Sequence, residues 1–202
     1  MRYGPQHKEA ARAKILNAVG RGFRQHGYGG IGVDGLAKEA GVTSGAFYGH
    51  FESKGEAFEA AALAGLAELQ QAVERFRAEE GPAWLGRFVD FYLSTKRTCE
   101  LGESCALQSL TPEVARAGRA TRAAYEAQLM KVVDAVAAGL PGKTSATRRK
   151  LAWTVLAALS GGVTLARAAE SPKVGGQIAG ALKATIDALL ASGAAGSGAA
   201  AP

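Results

Sequence analysis

Apolar residues recur at helical spacing along most of the chain, and this pattern predicts an all-α protein. An apolar face at positions i, i+3, i+4 and i+7 begins at Val33 and predicts a short helix that ends near Ala40. Ser53 and Glu56 have the spacing of a capping box at the start of a later helix. Further apolar lines and turn residues predict helices over about residues 7–26, 44–50, 53–80, 82–98, 106–110, 111–138, 147–169 and 174–191. The alternation of Val, Ile and Thr that is typical of strands is missing.

The residues around position 41 predict a tight turn between two short helices. Gly41 directly follows the first helix, and glycine commonly ends a helix with a positive φ angle. Thr43 or Ser44 supplies a hydroxyl that can cap a second helix, which extends to about His50. Phe51 points inward, whereas the outward residues are small, hydroxylated, aromatic or cationic and suit phosphates and base edges in a major groove. We therefore interpret the segment as a helix-turn-helix, whose short second helix needs its neighbours for stability.

The string LAKEAGVTSGAFYGHFESK, residues 36–54, resembles the DNA-binding signature of the TetR family of transcriptional regulators. The resemblance covers about residues 8–68. This chain departs from the family at Gly32, where a capping Thr is common, and at Gly49, where a large polar or basic residue is common. The resemblance implies that the DNA-contacting residues are Thr43, Ser44, Gly45, Tyr48, His50 and Lys54.

The resemblance also implies a division of the chain. A three-helix DNA-binding domain with the helix-turn-helix is expected over residues 7–54, and a larger helical domain that binds an effector and dimerises over residues 55–191. The helices at about 147–169 and 174–191 would form the homodimer, although their apolar residues equally suit the core of a monomer. Residues 192–202 are rich in Gly, Ala and Ser and are expected to be a disordered tail.

The positive charge of the chain is concentrated near its N-terminus. The whole chain has a net charge of +6. Residues 1–54 hold eight Lys and Arg and four Asp and Glu, which gives this quarter of the chain a net charge of +4. A basic module suits phosphate binding, although charge alone leaves a merely solvated basic face as an equal alternative. The helix-turn-helix favours double-stranded DNA as the partner.

The larger aromatic side chains beyond residue 55 are candidates for an apolar pocket. Family members bind small and often apolar molecules in this part of the chain, so the resemblance implies an effector of this kind. The ordinary alternative is that each of these side chains belongs to the core. The candidate ligand-binding residues are Trp84, Phe88, Tyr92, Tyr125 and Trp153.

The two cysteines, Cys99 and Cys105, stand six positions apart in a segment with turn residues. One interpretation is that both are small buried hydrophobic residues. The other is a thiol sensor of oxidants or electrophiles, although the neighbouring Glu100 and Glu103 argue against high reactivity. A metal site is not expected because there is no C-x-x-C and no nearby histidine.

Catalysis and membrane insertion are not expected. The sequence has no nucleophile elbow, Walker motif, H-E-x-x-H or Rossmann glycine pattern, and residues 55–202 contain no histidine to act as a general base. The most apolar stretch, residues 151–169, is interrupted by polar residues, so we expect a cytoplasmic protein without a cofactor. The favoured function is a ligand-responsive repressor that binds a near-palindromic operator as a homodimer. The alternatives are a helical dimeric small-molecule-binding protein that has lost operator readout, and a thiol-based redox or electrophile sensor.

Overall fold

The structure is a computed structural model that describes the backbone of residues 5–198 and the side chains of residues 9–191. Within the described residues the chain forms α-helices and two 3₁₀ turns and contains no strand, which confirms the predicted all-α class. The helices are α1 Pro5–Gly30, α2 Val33–Glu39, α3 Ser44–Tyr48, α4 Lys54–Glu80, α5 Trp84–Thr98, α6 Ala106–Ser109, α7 Thr111–Val114, α8 Arg119–Ala137, α9 Ser145–Ala168 and α10 Pro172–Gly198.

The chain divides into two units, and the division differs from the predicted boundary after residue 54. The N-terminal unit consists of Met1–Leu66 and Glu100–Glu126, and the C-terminal unit consists of Ala67–Cys99 and Ala127–Pro202. The helix-turn-helix therefore shares a unit with a segment that follows it by about fifty residues. Sequence patterns did not indicate this grouping, because it depends on tertiary packing rather than on local periodicity.

Aromatic side chains form the core of the N-terminal unit. Phe23 of α1 is fully buried, and its ring lies 5.3 Å from that of Phe58 in α4. Tyr28 packs edge-on against Phe58 at 5.1 Å, just after α1 is interrupted at Gly27, whose φ angle is 73°. Glycine adopts this backbone conformation without strain, so it ends the regular part of α1 where the sequence predicted.

Residues 100–126 are attached to α1 and α4 by specific contacts. Arg24 Nε donates a hydrogen bond of 2.6 Å to the Gly102 carbonyl, and Gly102 N donates one of 3.1 Å to the side chain of Gln25. The backbones of α4 and α6 approach so closely that a Cβ at Gly65 would lie only 2.3 Å from the Cβ of Ala106. Packing of this kind leaves no room for a larger residue at either position.

The single helix predicted over residues 111–138 is wrong, because the structure contains two helices there. α7 ends at Val114, and the chain turns through residues 115–118 before α8 begins at Arg119. Tight turns close this connection: Arg116 N donates to the Glu113 carbonyl and Ala117 N to the Val114 carbonyl, at 3.0 and 2.9 Å. Gly118, which has a low helix propensity, precedes α8 and accepts its first hydrogen bond.

The C-terminal unit is built on α5, α9 and α10, which pack against one another. α9 and α10 approach closely at Gly162, where an added Cβ would lie 1.8 Å from Cδ1 of Leu182. By length and composition α9 alone among the described helices could cross a membrane, with a mean hydropathy of 1.3 over its most apolar window. The packing of Val155, Leu159 and Val163 within the unit accounts for part of this composition, since 39% of that window is buried.

The last helix is longer than predicted. α10 begins at Pro172 and continues to Gly198, whereas the sequence suggested a helix that ends at residue 191 and a disordered tail from residue 192. Residues 192–198 hold three Gly, two Ser and two Ala, so helix propensity does not account for the extension. The rest of the predicted tail, residues 199–202, lies outside the described residues.

Candidate nucleic-acid interface

Local backbone geometry forms the predicted turn between α2 and α3. Gly41 has a φ angle of 67°, and Val42 N donates a hydrogen bond of 2.9 Å to the Ala37 carbonyl, which closes the end of α2. Thr43, not Ser44, caps α3, because its hydroxyl accepts a hydrogen bond of 3.1 Å from Ala46 N. The turn and both helix ends are therefore specified by residues within the motif.

Two buried phenylalanines support the five-residue helix α3. Phe47 in α3 and Phe51 just beyond it are 0% and 1% exposed, and their ring centroids lie 5.3 Å apart. The guanidinium of Arg12 in α1 lies 5.3 Å above the ring of Phe51. Since a helix this short has little stability of its own, these contacts hold it in position.

The opposite face of α3 is open to solvent. Tyr48 is 55% exposed although it packs edge-on against Phe47, and Thr43 and Gly45 are also exposed. Ser44 is half-buried, and its hydroxyl donates a hydrogen bond of 2.5 Å to the carboxylate of Asp34 in α2. The structure thus brings four of the predicted contact residues together around α3, with their side chains in different environments.

His50 and Lys54, the remaining predicted contact residues, follow α3 and are half-buried. Nδ1 of His50 is buried and has no hydrogen-bond partner among the described residues. The ammonium of Lys54 lies 4.5 Å from the ring centroid of Tyr28, in a cation–π contact. Lys54 begins α4, where Glu56 N donates to the Ser53 hydroxyl at 3.0 Å and Glu52 N donates to the Glu56 carboxylate at 2.6 Å.

Two residues that contact the predicted DNA-binding side chains were not selected from the sequence. Asp34 binds the Ser44 hydroxyl, and Tyr28 lies under the Lys54 ammonium. An acid in the first turn of α2 is an ordinary feature of a helix N-terminus, and a lone tyrosine after α1 is ordinarily a packing residue. Neither contact follows from helical spacing, because each joins side chains from different elements.

The candidate ligand-binding residues occupy three different environments. Trp84, Phe88 and Tyr92 form a buried line of rings along α5, with centroids 6.4 and 5.8 Å apart. Trp84 Nε1 also donates a hydrogen bond of 3.1 Å to the Gly139 carbonyl. Trp153 is 42% exposed on α9. The rings on α5 therefore pack as ordinary core residues do. Their apolar chemistry would also suit a site for an apolar ligand.

Tyr125 belongs to the N-terminal unit and is buried there. Its hydroxyl lies 2.5 Å from Oγ1 of Thr111, which itself donates to the Leu107 carbonyl. Burial raises the pKa of the Tyr125 phenol, an effect that outweighs the opposing effect of the Thr111 hydrogen bond. Gln108, which sequence reasoning did not select, is also buried, and its Oε1 has no partner among the described residues.

The two cysteines lie in different units and are both free thiols. Cys105 is buried in the N-terminal unit, as expected for a small hydrophobic residue. Cys99 is half-buried at the end of α5, where Nη2 of Arg167 lies 2.9 Å from its carbonyl oxygen and 3.1 Å from its sulfur. Among the described side chains, no three His, Cys, Asp or Glu residues form a group that could hold a metal ion.

Comparison with known proteins identifies the segment that carries this surface. Residues 15–61 match the family model of bacterial regulatory proteins of the tetR family. A comparison with curated protein sequences finds no match. The resemblance to the TetR family that residues 36–54 indicated is therefore confirmed for the segment that includes the helix-turn-helix.

Solved structures share the fold over most of the chain. A TetR-family transcriptional regulator from Streptomyces coelicolor, SCO4454, superposes with a TM-score of 0.73 and 17% identity, covering 91% of this chain and 96% of its own. A TetR-family regulator from Agrobacterium tumefaciens has a TM-score of 0.71 and 15% identity, with 88% and 98% covered. Escherichia coli NemR in its reduced form has a TM-score of 0.68 and 19% identity, with 86% and 95% covered.

Proposed function

We propose that this chain, which has the TetR-type helix-turn-helix segment and the fold of TetR-family regulators, is a DNA-binding transcriptional repressor of the cytoplasm. It would bind a near-palindromic operator as a homodimer and would be released by a small molecule. Two α3 helices would then enter successive major grooves about 34–36 Å apart. The contact residues would be Thr43, Ser44, Gly45, Tyr48, His50 and Lys54.

The observation that carries this proposal is that one face of α3 is buried and the opposite face is exposed to solvent. Phe47 is buried and positions the helix, whereas Tyr48, the next residue, is 55% exposed and among the described side chains has only Phe47 as a ring neighbour. A large aromatic side chain that is exposed on so short a helix contributes little to the core. Together with exposed hydroxyl and backbone groups at the helix start, it suits sugar–phosphate and thymine-methyl contacts.

Anisotropy of a labelled DNA fragment from upstream of the gene would test the proposal. We expect tight binding relative to scrambled DNA, and we expect Tyr48→Ala to weaken it at least about tenfold. Lys54→Ala should reduce the slope of log affinity against log salt by about one, since one phosphate contact is lost. The matched control is Lys131→Ala, which removes an exposed lysine from α8 in the C-terminal unit. Operator affinity that is unchanged in both interface variants would contradict the assigned contacts.

The exposed sides of α9 and α10 support the proposed homodimer. We call the following residues the outer face: Trp153, Ala157, Gly161 and Leu165 of α9, and Val174, Ala181, Ala184 and Ala188 of α10. All eight are exposed, and α9 has no charged residue between Trp153 and Leu165. The charged pair Lys183 and Asp187 of α10 is directed toward Asp90 of α5, with a Lys183–Asp90 distance of 3.0 Å. Small, uncharged residues on two neighbouring helices permit close packing against a second copy.

Sedimentation of purified protein would test this interface. The wild-type chain should be a dimer at micromolar concentration. Leu165→Glu should give monomers, because a carboxylate replaces a leucine that is 64% exposed on the outer face. Ala123→Glu, at an exposed position of α8, provides the control for an added charge. A monomeric wild-type protein, or a dimeric Leu165→Glu protein, would contradict the proposed interface.

The effector is proposed to be a small apolar molecule that binds near the rings of Trp84, Phe88 and Tyr92. Binding would favour the conformation with lower operator affinity, with a coupling free energy of about 1–3 kcal/mol. Trp84 is buried in this ring cluster, so its fluorescence provides a readout for a screen of apolar compounds. A screen in which no compound changes the fluorescence or releases the DNA would remove support for this effector class.

A thiol-dependent response is a second candidate that one observation favours. The Arg167 guanidinium contacts both the sulfur and the carbonyl oxygen of Cys99, so oxidation of the sulfur would alter the junction of α5 with α9. If Cys99 is a sensor, then peroxide should change the DNA affinity of the wild-type protein but not that of Cys99→Ser. Equal responses in the two proteins would assign Cys99 to packing alone.

A further inference from the structure

A cavity of about 600 Å³ lies within the N-terminal unit, where the residues after α1, the first turns of α4 and the segment 113–121 meet. Its volume is in the range of small-molecule sites. The cavity is separate from the ring cluster on α5 that we propose for the effector, since every residue that lines it belongs to the N-terminal unit. Its chemistry can therefore be considered by itself.

The wall of the cavity has an excess of negative charge. Glu56, Glu59 and Glu113 line it, and Arg116 is the basic residue of the lining. The hydrogen-bond donors to these carboxylates are neutral: Thr121 Oγ1 donates to Glu59 at 2.7 Å, Tyr28 N to Glu113 at 3.3 Å and Glu52 N to Glu56 at 2.6 Å. Among the described side chains, none of the three carboxylates forms a salt bridge. A cation in the cavity would therefore meet carboxylates whose charge is not already balanced.

Aromatic rings form another part of the wall. Tyr28 and Phe58 both line the cavity, and their rings meet edge-on at 5.1 Å. Tyr28 is 36% exposed, its ring stacks on that of Phe23 at 6.0 Å, and the Lys54 ammonium lies 4.5 Å from its ring centroid. This internal contact shows that the ring accepts a cation at this position in the fold.

We propose that this cavity is a binding site for a small organic cation, a protonated or quaternary amine with an apolar body. The positive charge would lie between Glu59 and Glu113, and the apolar body would contact Tyr28 and Phe58. Aromatic rings with nearby carboxylates are the usual surroundings of such ammonium groups. The carboxylates also do not converge as metal ligands do, because no metal-binding group of three occurs among the described side chains.

The contact between Lys54 and Tyr28 gives the site a distinctive property. The positive charge of a bound ligand and the Lys54 ammonium would repel each other, because both would lie close to Tyr28. Removal of the lysine charge should therefore tighten cation binding, whereas removal of a wall carboxylate should weaken it. A carboxylate outside the cavity, such as Glu126, should have no effect, and this contrast distinguishes a specific site from nonspecific attraction to the protein surface.

Isothermal titration calorimetry with benzyltrimethylammonium would test the site in the full-length protein without DNA. The matched anion is benzylsulfonate, which has the same ring and the opposite charge. We expect the cation to bind with a dissociation constant below about 1 mM and the anion to show no saturable binding. Because DNA is not needed, failure of this proposal is distinguishable from failure of the proposed regulatory function.

Variants of the wall residues complete the test. Glu59→Gln and Glu113→Gln should each weaken cation binding about fivefold, because each removes one charge and keeps an acceptor for its neutral donor. Lys54→Met should strengthen binding about fivefold by the same estimate. Glu126→Gln removes an exposed carboxylate of α8 outside the cavity and should have no effect. Should either Gln variant fail to fold, the other and Lys54→Met still decide the outcome.

Three results would overturn the proposal. The first is wild-type protein that does not bind the cation. The second is equal affinity in wild type, Glu59→Gln, Glu113→Gln and Glu126→Gln, which would indicate nonspecific attraction. The third is binding of benzylsulfonate as tight as that of benzyltrimethylammonium, which would assign recognition to the apolar ring alone.

Discussion

The short helix α3 and the helix pair α9–α10 both expose surface that the fold does not require, but the two surfaces are specified differently. On α3 the exposed positions have distinct chemistry at fixed spacing: a capping hydroxyl at Thr43, a small residue at Gly45 and a ring at Tyr48. The outer face of α9 and α10 has only small or apolar residues without charge. Chemistry at fixed spacing indicates a function, whereas a lack of charge is common to interfaces and to cores.

Substitution of adjacent aromatic residues in α3 should give the largest contrast. Phe47→Ala should lower the free energy of unfolding by about 3–5 kcal/mol, because Phe47 is fully buried. Tyr48→Ala should cost less than about 1 kcal/mol, since most of its packing is one edge-on ring contact. Urea denaturation of the two variants measures both values. Equal losses of stability would show that Tyr48 is a core residue and would remove the main argument for the DNA interface.

Two adjacent glycines test the packing of α9 at a smaller scale. Gly162→Ala should destabilise the protein by about 1–3 kcal/mol, because the new Cβ would overlap the side chain of Leu182. Gly161→Ala meets no atom within 4 Å in the single chain and should gain up to about 1 kcal/mol of helix stability. Urea denaturation at low and high protein concentration would measure the free energy of unfolding of both variants. A loss in Gly161→Ala that appears only at high concentration would indicate that a second copy packs there.

The helix caps provide the smallest expected effects. Thr43→Ala should cost about 1 kcal/mol, since Ala46 N loses its hydrogen-bond partner, and Thr43→Ser should restore most of that loss. Gly32 begins α2 in an extended conformation without a side-chain cap and has open space around it. Gly32→Ser should therefore gain a few tenths of a kcal/mol. Thermal unfolding of the three variants would measure these changes, and a destabilised Gly32→Ser protein would contradict this account of α2.

The sequence predicted those parts of the structure that depend on neighbouring residues. The positive φ of Gly41, the cap by Thr43 and the hydrogen bond from Glu56 N to Ser53 all depend on side chains within a few positions. The family model that matches residues 15–61 confirms the same segment. Local signals of this kind specify the motif strongly, which is why its short helix could be predicted in isolation.

Features that depend on tertiary contacts could not be predicted from the sequence pattern. The break between α7 and α8 was missed because alanine-rich residues on both sides of Gly118 have high helix propensity. Trp153 was placed among pocket residues by its size, although it is exposed on α9. The cavity beside Tyr28 combines residues from distant parts of the chain, and no periodicity brings Glu59 and Glu113 together.

The hydrogen bond from Ser44 to Asp34 places a carboxylate beside α3, a helix that has neither lysine nor arginine. Affinity for arbitrary DNA arises mainly from cations that release the ions condensed around the duplex. For a regulator of the proposed kind, α3 would therefore gain little from a random sequence, while a cognate site would still engage Tyr48. A chromosome offers about 10⁶–10⁹ competing sites. Weak attraction of α3 to these sites would shorten the search for the operator and allow its occupation at a lower copy number.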